Sequence, residues 1–488
     1  YYPSTRKEVH PFYIACDLLP EWRSVSDGEA LLKSQAFLPE DGKIDYVESM
    51  SRKLFLLEKA YHAFQSSGDP EVHARKDRMQ QYFRKNPEVH EHAVFELLLE
   101  LEENGSDEDR AWRVGKTDAE LRQRYSGRIG FYEYLFWAAR DQFDFVCSEL
   151  ATRGMRLYTD VAVGVATDGA DHRADPELFA RNARAGAPPD LFAPRGQDWG
   201  IGVWNPLVLQ RRAFRPFRDL LRANMIEDGF LRLDHVMWLF RLFWVHPDGG
   251  TYVYYPYREL TAILCLESHL HRCTVIGEDL GTVPQEIEDI LKKRKMYSWK
   301  VFFFERGAEG ALSDPAGYPE LSVATLNTHD LPTWNGYWSG NDIEDRTDCG
   351  SLPLAALRQS LEERDRDRSN ILKFLVEHKL IDDDLRQKIA TRLDRQPGDK
   401  REDLEPEDLV ALSASIHRGL ARAGSRLVLT SLNDLTGDFH QPNMPGTIDE
   451  YPNWRILCPT GVESISANPY YAAITPAMME ERGRMRKS

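Results

Sequence analysis

Six short apolar runs, each rich in β-branched or aromatic residues and closed by polar turn residues, mark the chain after residue 150. They are MRLYTDVAVGVA from Met155, GFLRLDHV from Gly229, HRCTVIGEDLG from His271, YSWKVFFFE from Tyr297, LSVATLNTHDLP from Leu321 and SRLVLTSLNDL from Ser425. Runs of this length and composition predict β-strands. Helical patterns lie between most of them: RAFRPFRDLLRANM before the second, YRELTAILCLESHLH before the third and VPQEIEDILKKR before the fourth. Strand, polar turn, helix and strand again predict parallel strands joined by right-handed crossovers.

Ahead of residue 150 the period is different. In YVESMSRKLFLLEKAYHAF, Val47, Met50, Leu54, Leu57, Tyr61 and Phe64 recur at three- and four-residue steps, which predicts a helix. HEHAVFELLLELEE (90–103) and GFYEYLFWAARDQFDFVCSEL (130–150) predict two more. His90, Glu91 and His92 invite a metal reading, but a helix turns i and i+2 onto different faces. A solvated surface is the expectation there. Residues 1–40 read as loop, with Pro3, Pro11, Pro20 and Pro39. A further helical stretch intervenes between Asp330 and Ser425, and its charge runs ERDRDR and DKREDLEPED read as solvated faces and linker.

The expected organisation is therefore barrel start over 1–40, helical insertion over 41–152, barrel core with catalytic strand ends over 153–340, helical insertion over 341–424, and last strand with a C-terminal helix over 425–488. The fold class is α/β. A (β/α)8 TIM barrel needs eight strands, and six are legible. Either the sheet is open, or the first two barrel strands are missing from this chain and an N-terminal segment supplies them.

Composition narrows the chemistry. Among 488 residues the net charge is −16, which argues against nucleic acid as a partner and gives no reason to expect an anionic membrane. No apolar run approaches a membrane span, and the opening YYPSTRKEVH is neither a signal nor a transit peptide. Six scattered cysteines without a CxxC pair read as reduced thiols, so a cytoplasmic location is expected. There is no GxxxxGK[ST], no full GxGxxG and no GxSxG, which disfavours P-loop, dinucleotide and serine-hydrolase chemistry.

The polar residues at the strand ends are the informative ones. Asp160 follows LYT, Asp234 follows LRL, Glu278 and Asp279 follow TVIG, and His329 and Asp330 follow LNT. Parallel α/β folds build active sites at the carboxyl ends of strands. A single acid there is explained as a helix N-cap; acids at four strand ends are explained less well. Alternation places Arg232 and Asp234 on one strand face, with Leu231, Leu233 and His235 on the other. Converging acids without a histidine cluster suit glycosyl transfer, in which one carboxylate attacks the anomeric carbon and a second protonates the leaving oxygen. In a retaining mechanism the two stand about 5–5.5 Å apart. Arg232 would keep Asp234 ionised, and Glu278 after an apolar run suits the acid.

These segments carry a resemblance. RLDH (232–235), GEDLG (277–281) and THDLP (328–332) resemble the three catalytic segments of the α-amylase superfamily, in order. More closely, TDVAVGVATDGAD (159–171), GAPPDLFAPRGQDWG (186–200), YVYYP (252–256), CTVIGEDLGTVP (273–284) and NMPGTIDEYPNWR (443–455) resemble the 4-α-glucanotransferases known as amylomaltase or disproportionating enzyme, of the bacterial maltose-utilisation type. The resemblance implies a retaining transferase that moves α-1,4-glucan segments between maltooligosaccharides, with no metal and no organic cofactor. By position it implies Asp234 as nucleophile, Glu278 as acid/base and Asp330 as the group gripping the distorted sugar. Arg232 would orient Asp234, and His329, Asp160 and His235 would lie beside the scissile bond. PPDLFAPRGQDWG would be a loop over the cleft, with Asp190, Gln197 and Trp199 touching glucan. Tyr1 would match a donor-site tyrosine, and Asn443 is a further candidate. Tyr252 and Tyr254 could stack on sugar faces. Three features depart from the family pattern: Trp238 where a small residue is usual, His10 where Asn is usual, and a short loop after Trp244. An α-glucan hydrolase and a non-catalytic carbohydrate-binding relative are the alternative functions.

Overall fold

The six apolar runs all form strands, and they do so in parallel. The computed structural model describes residues 2–37, 39, 41–189, 196–281, 283–307, 310–393 and 404–485. In chain order the strands are β1 (Tyr158–Val161), β2 (Val165–Ala166), β3 (Phe179–Ala187), β4 (Gln197–Trp204), β5 (Phe230–Leu233), β6 (Arg241–His246), β7 (Gly249–Tyr254), β8 (Thr274–Gly277), β9 (Ser298–Val301), β10 (Ser322–Thr325) and β11 (Leu427–Val428). By contacts the chain divides into two units, Tyr1–Phe37 with Tyr46–Ile290, and Leu38–Asp45 with Leu291–Ser488.

In the first unit, β5 lies between β1 and β8, and both pairings are parallel. The register sets Asp160 opposite Arg232, and Arg232 opposite Ile276. Helices Arg215–Asn224 and Tyr257–His271 precede β5 and β8, as the period predicts. Leu231 and Leu233 are fully buried, and so is most of Arg232, because a central parallel strand is covered on both faces.

A second, antiparallel sheet runs β2-β4-β3-β6-β7. The sequence pattern does not announce it. β3 is FARNARAGA, without one β-branched residue, and its propensity is low. Its Gly186 is required by packing: a Cβ there would come 2.0 Å from the Gln197 carbonyl oxygen on β4. The expectation of a loop over 188–200 is thereby corrected in part. Gln197 and Trp199 belong to β4, while 190–195 lie outside the described residues. The stretch after Trp244 is a tight β6–β7 hairpin, whose Arg241 guanidinium lies 4.3 Å over the Tyr252 ring.

The helices ahead of β1 are Tyr46–Ser66, Pro70–Lys85, Val89–Glu103, Asp107–Trp112 and Asp118–Thr152. Its core gathers Leu57, Ala60, Phe64, Val94, Leu97, Phe131 and Tyr134. Each such large side chain contributes roughly 1.5–3 kcal/mol by leaving water. Residues 2–37 are more ordered than a loop. Three 3-10 turns and the helix Gly28–Gln35 send Ile14, Leu19 and Trp22 into that same core. His10 Nδ1 accepts the Phe12 N–H at 3.1 Å, capping the first turn as an asparagine would.

Two surface expectations are overturned. His92 is buried, held between Glu8 and Asp171, and His90 pairs with Glu133. The i, i+2 argument separates the two rings correctly and leaves Glu91 exposed between them, but it does not say that the His92 face is covered. In ERDRDR, Arg364 and Arg368 are buried, Arg364 forking onto Asp342 at 2.6 and 2.8 Å.

The second unit carries β11-β10-β9, again parallel, with Thr325 opposite Val301. Its helices include Leu354–Glu377, Asp383–Leu393, Pro406–Ala421 and Pro469–Met485. Among the described residues no helix is long and apolar enough to cross a membrane.

Candidate active site

In the first unit the site grows from one buried cation. The Arg232 side chain is 5% exposed, so its charge must be met by protein. Its Nη1 donates to both Asp160 carboxylate oxygens at 2.8 Å, and its Nη2 lies 2.8 Å from Asp234 Oδ1. The parallel register makes this possible, because Asp160 sits beside Arg232 on the neighbouring strand and Asp234 follows two residues on. The Asp160 side chain is 38% exposed and that of Asp234 16%, so the acids face an opening while the arginine is the floor.

At His235 the strand ends abruptly. The residue takes a left-handed conformation, φ 44° and ψ 63°, which costs roughly 1–3 kcal/mol for a non-glycine side chain. Alternation stops there, so His235 is not simply the next residue on the Leu231–Leu233 face. The turn aims its backbone N–H at Glu278 Oε2 at 2.8 Å, and the Leu280 N–H meets Oε1 at 2.7 Å. The Val236 N–H binds the Glu278 carbonyl at 2.9 Å. RLDH and GED are thus stitched together through the main chain. Gly277 permits the close approach, since a Cβ there would sit 3.0 Å from the Val236 side chain.

His235 is held neutral, its pKa lowered to about 4 by burial. It can therefore accept or donate one hydrogen bond at neutral pH without carrying charge. The Trp199 ring meets the His235 ring edge-on, centroids 5.2 Å apart, and the Trp199 indole N–H donates to Gln197 Oε1 at 2.9 Å. Asp160, Trp199, Arg232, Asp234, His235 and Glu278 thus form one connected group, with Gln197 behind it.

The second unit holds its own cluster. After β10 the chain turns through Thr328, whose Oγ1 accepts the Asp330 N–H at 3.2 Å. His329 Nε2 lies 3.3 Å from Asp330 Oδ2. Asn443 Nδ2 donates to Asp330 Oδ1 at 2.5 Å, and the Asn443 N–H donates to the His329 carbonyl at 3.1 Å. The three candidates His329, Asp330 and Asn443 are therefore in mutual contact. Behind them Asp434, buried, accepts from the Asn327 side chain at 3.0 Å and the Trp334 N–H at 2.7 Å, which ties down both flanks of the THDLP turn.

Sequence reasoning did not single out Trp454, whose ring packs 5.2 Å from that of His329. It lies in the NMPGTIDEYPNWR segment, and a tryptophan at φ 60° beside a site histidine is the signal that only coordinates supply. Trp238 is resolved as core, its ring packed edge-on to Trp204 and Phe217. Tyr252 and Tyr254 remain exposed on β7, the outermost strand of its sheet. Tyr1 and Asp190 lie outside the described residues.

Comparison with known proteins follows the same direction. A family model described as 4-alpha-glucanotransferase matches residues 1–461. The 4-alpha-glucanotransferase of Haemophilus influenzae is 32% identical over 481 residues, covering 93% of this chain and 66% of that protein. That of Mycobacterium bovis is 30% identical over 482 residues, covering 93% of this chain and 62% of that protein. The chain thus spans just under two thirds of the length of these relatives. Among solved structures, amylomaltase from Corynebacterium glutamicum aligns with a TM-score of 0.79 at 25% identity, over 98% of this chain and 67% of that one. Amylomaltase from Streptococcus agalactiae in complex with acarbose shares the fold, with a TM-score of 0.71 at 19% identity over 96% and 86% of the two chains.

Proposed function

Because the chain belongs to the 4-alpha-glucanotransferase family, we propose that it moves α-1,4-glucan segments between maltooligosaccharides by a retaining mechanism. The observation that carries the reading is Arg232 gripping both Asp160 and Asp234, one strand away from Glu278. Asp234 attacks the anomeric carbon, the bond to the leaving 4-oxygen breaks, and Glu278 gives its proton to that oxygen. A 4-hydroxyl of glucose or another oligosaccharide then loses its proton to Glu278 and displaces Asp234. The two backbone donors on Glu278 fix the plane of its carboxyl group. Asp330, steadied by Asn443 and His329, grips the hydroxyls of the sugar as positive charge develops on its ring. Tyr1, Asp190, Gln197 and Trp199 contact glucan. The chemistry calls for no metal or organic cofactor.

We read the six parallel strands as six of eight in a TIM barrel, with core over 153–340 and 425–488 and helical insertions at 41–152 and 341–424. Among the described residues β1 pairs with β5 alone, and an eight-stranded barrel calls for two strands beyond these six. A soluble, active monomer of residues 1–488 alone would overturn that part. Six unpaired thiols suit a reducing cytoplasm.

Incubation with maltotriose tests the function. Glucose together with oligomers longer than maltotriose is expected. Glucose and maltose alone would make the protein a hydrolase, and no change would make it a binder. Asp234→Asn is expected to abolish turnover while the fold persists.

A further inference from the structure

Near the start of the chain, residues 5–8 pack against the turn that follows β1, the strand of Asp160, through several polar contacts. Arg6 is 8% exposed, and its Nη1 donates to the Ala162 carbonyl at 3.0 Å and the Val163 carbonyl at 2.9 Å. Its guanidinium lies 4.6 Å over the Trp204 ring. The Arg6 N–H donates to Asp171 Oδ2 at 3.3 Å, and the Asn224 side chain holds the Arg6 carbonyl at 2.8 Å. Thr5 Oγ1 donates to Asp171 Oδ1 at 2.9 Å. A guanidinium placed here is costly; burial lowers its pKa to about 10 against the pull of Asp171 and Tyr255. Such a cation is retained where its two carbonyl contacts matter. Those carbonyls belong to the residues directly after Val161, and the Val161 carbonyl accepts the Asp234 N–H at 3.1 Å.

We infer that Arg6 is a positioning residue of the reaction proposed above: by clamping the Ala162 and Val163 carbonyls it fixes the turn after β1, and through the Val161–Asp234 main-chain bond and the Asp160–Arg232–Asp234 bridge it sets the line of attack of Asp234. It touches neither sugar nor the reacting carboxylates. Removing it leaves the loop with two carbonyls free to reorient, and the first movement reaches Asp234. The inference rests on the transferase reading for its kinetic consequence and on geometry alone for its structural one.

Arg6→Ala is the test, with Arg6→Lys as the milder change and Lys7→Met as control, since Lys7 reaches Asp171 at 3.5 Å and contacts neither carbonyl. The donors are maltotriose and α-maltotriosyl fluoride, whose leaving group departs without a proton and so reports the attack of Asp234 without Glu278. A displacement of the nucleophile of up to an ångström is worth about 10- to 100-fold in kcat. That loss is expected with both donors, with KM changed less than about threefold, Lys7→Met near wild type and Arg6→Lys in between. Methylguanidinium is expected to restore a large part of the rate of Arg6→Ala. Amide exchange over 160–164 and at Asp234 reads the clamp with no substrate present, and it is expected to quicken in both Arg6 variants while β8 stays protected. Unchanged exchange, or unchanged kcat on the fluoride in Arg6→Lys, overturns the inference, and Arg6→Lys decides it if Arg6→Ala does not fold. A wild-type chain that turns over neither donor refutes the transferase reading, and the exchange experiment still decides the clamp.

Discussion

The buried His92 gives the sharpest prediction. Its ring is 1% exposed, with Nδ1 3.6 Å from Glu8 and Nε2 3.4 Å from Asp171, both buried acids. Burial by itself would lower the histidine pKa; the neighbouring carboxylates of Asp171 and Glu8 outweigh it and raise the value to about 9. The folded chain therefore binds a proton at His92 more tightly than the unfolded chain, whose histidine titrates near 6.5. Stability from this site is fully present below pH 6.5 and is lost as pH rises toward 9. At about 1.4 kcal/mol per pH unit the loss is about 3 kcal/mol. A chain of two units does not unfold in one step, so the readout should be local. Amide exchange of the helix Val89–Glu103 between pH 6 and 10, corrected for intrinsic rates, gives the opening free energy. The wild type should lose about 3 kcal/mol from this site across that window, on top of a smaller loss below about pH 7 from the partly buried Glu96 on the same helix, and His92→Gln should lack the His92 part and start lower, because two buried acids lose their cation. Parallel profiles for the two proteins, or a His92 ring resonance titrating below pH 7, would refute the reasoning.

Three more expectations follow from packing and pairing. Arg232→Met leaves Asp160 and Asp234 side by side without their cation; a loss of about 3–5 kcal/mol in stability is expected by urea denaturation followed through the first unit, with turnover lost as well. Trp238→Ala opens a cavity between Trp204 and Phe217 and should cost about 3–5 kcal/mol while leaving KM for maltotriose unchanged; a change in KM with full stability would refute its role as a core side chain. His10→Asn should keep the cap of the first 3-10 turn and melt with the wild type, whereas His10→Ala should lose about 1 kcal/mol; equal melting of both variants would mean the cap contributes nothing.

What the chain determines by itself is local. The six parallel strands, the helices before β5 and β8, and the acids at the strand ends follow from periods of two and 3.6 residues and from where each apolar run gives way to polar residues, because those signals depend on neighbours a few positions away. The antiparallel sheet escaped, since FARNARAGA pairs through its backbone and its close approach to β4 rather than through side chains that favour strands. Tertiary structure decided which charge meets which. Arg232 meets Asp234 at the end of its own strand, and register adds Asp160, 72 positions away in sequence. Asp330 finds Asn443 across 113 positions, and Glu278 is held by the N–H of a histidine whose left-handed turn no local pattern announces. His92 looked like surface because helical spacing reports which residues share a face, while burial depends on what arrives from elsewhere in the chain to cover it. A buried ion takes its energy from the partners that replace its water, and those partners are fixed only when distant segments are brought together.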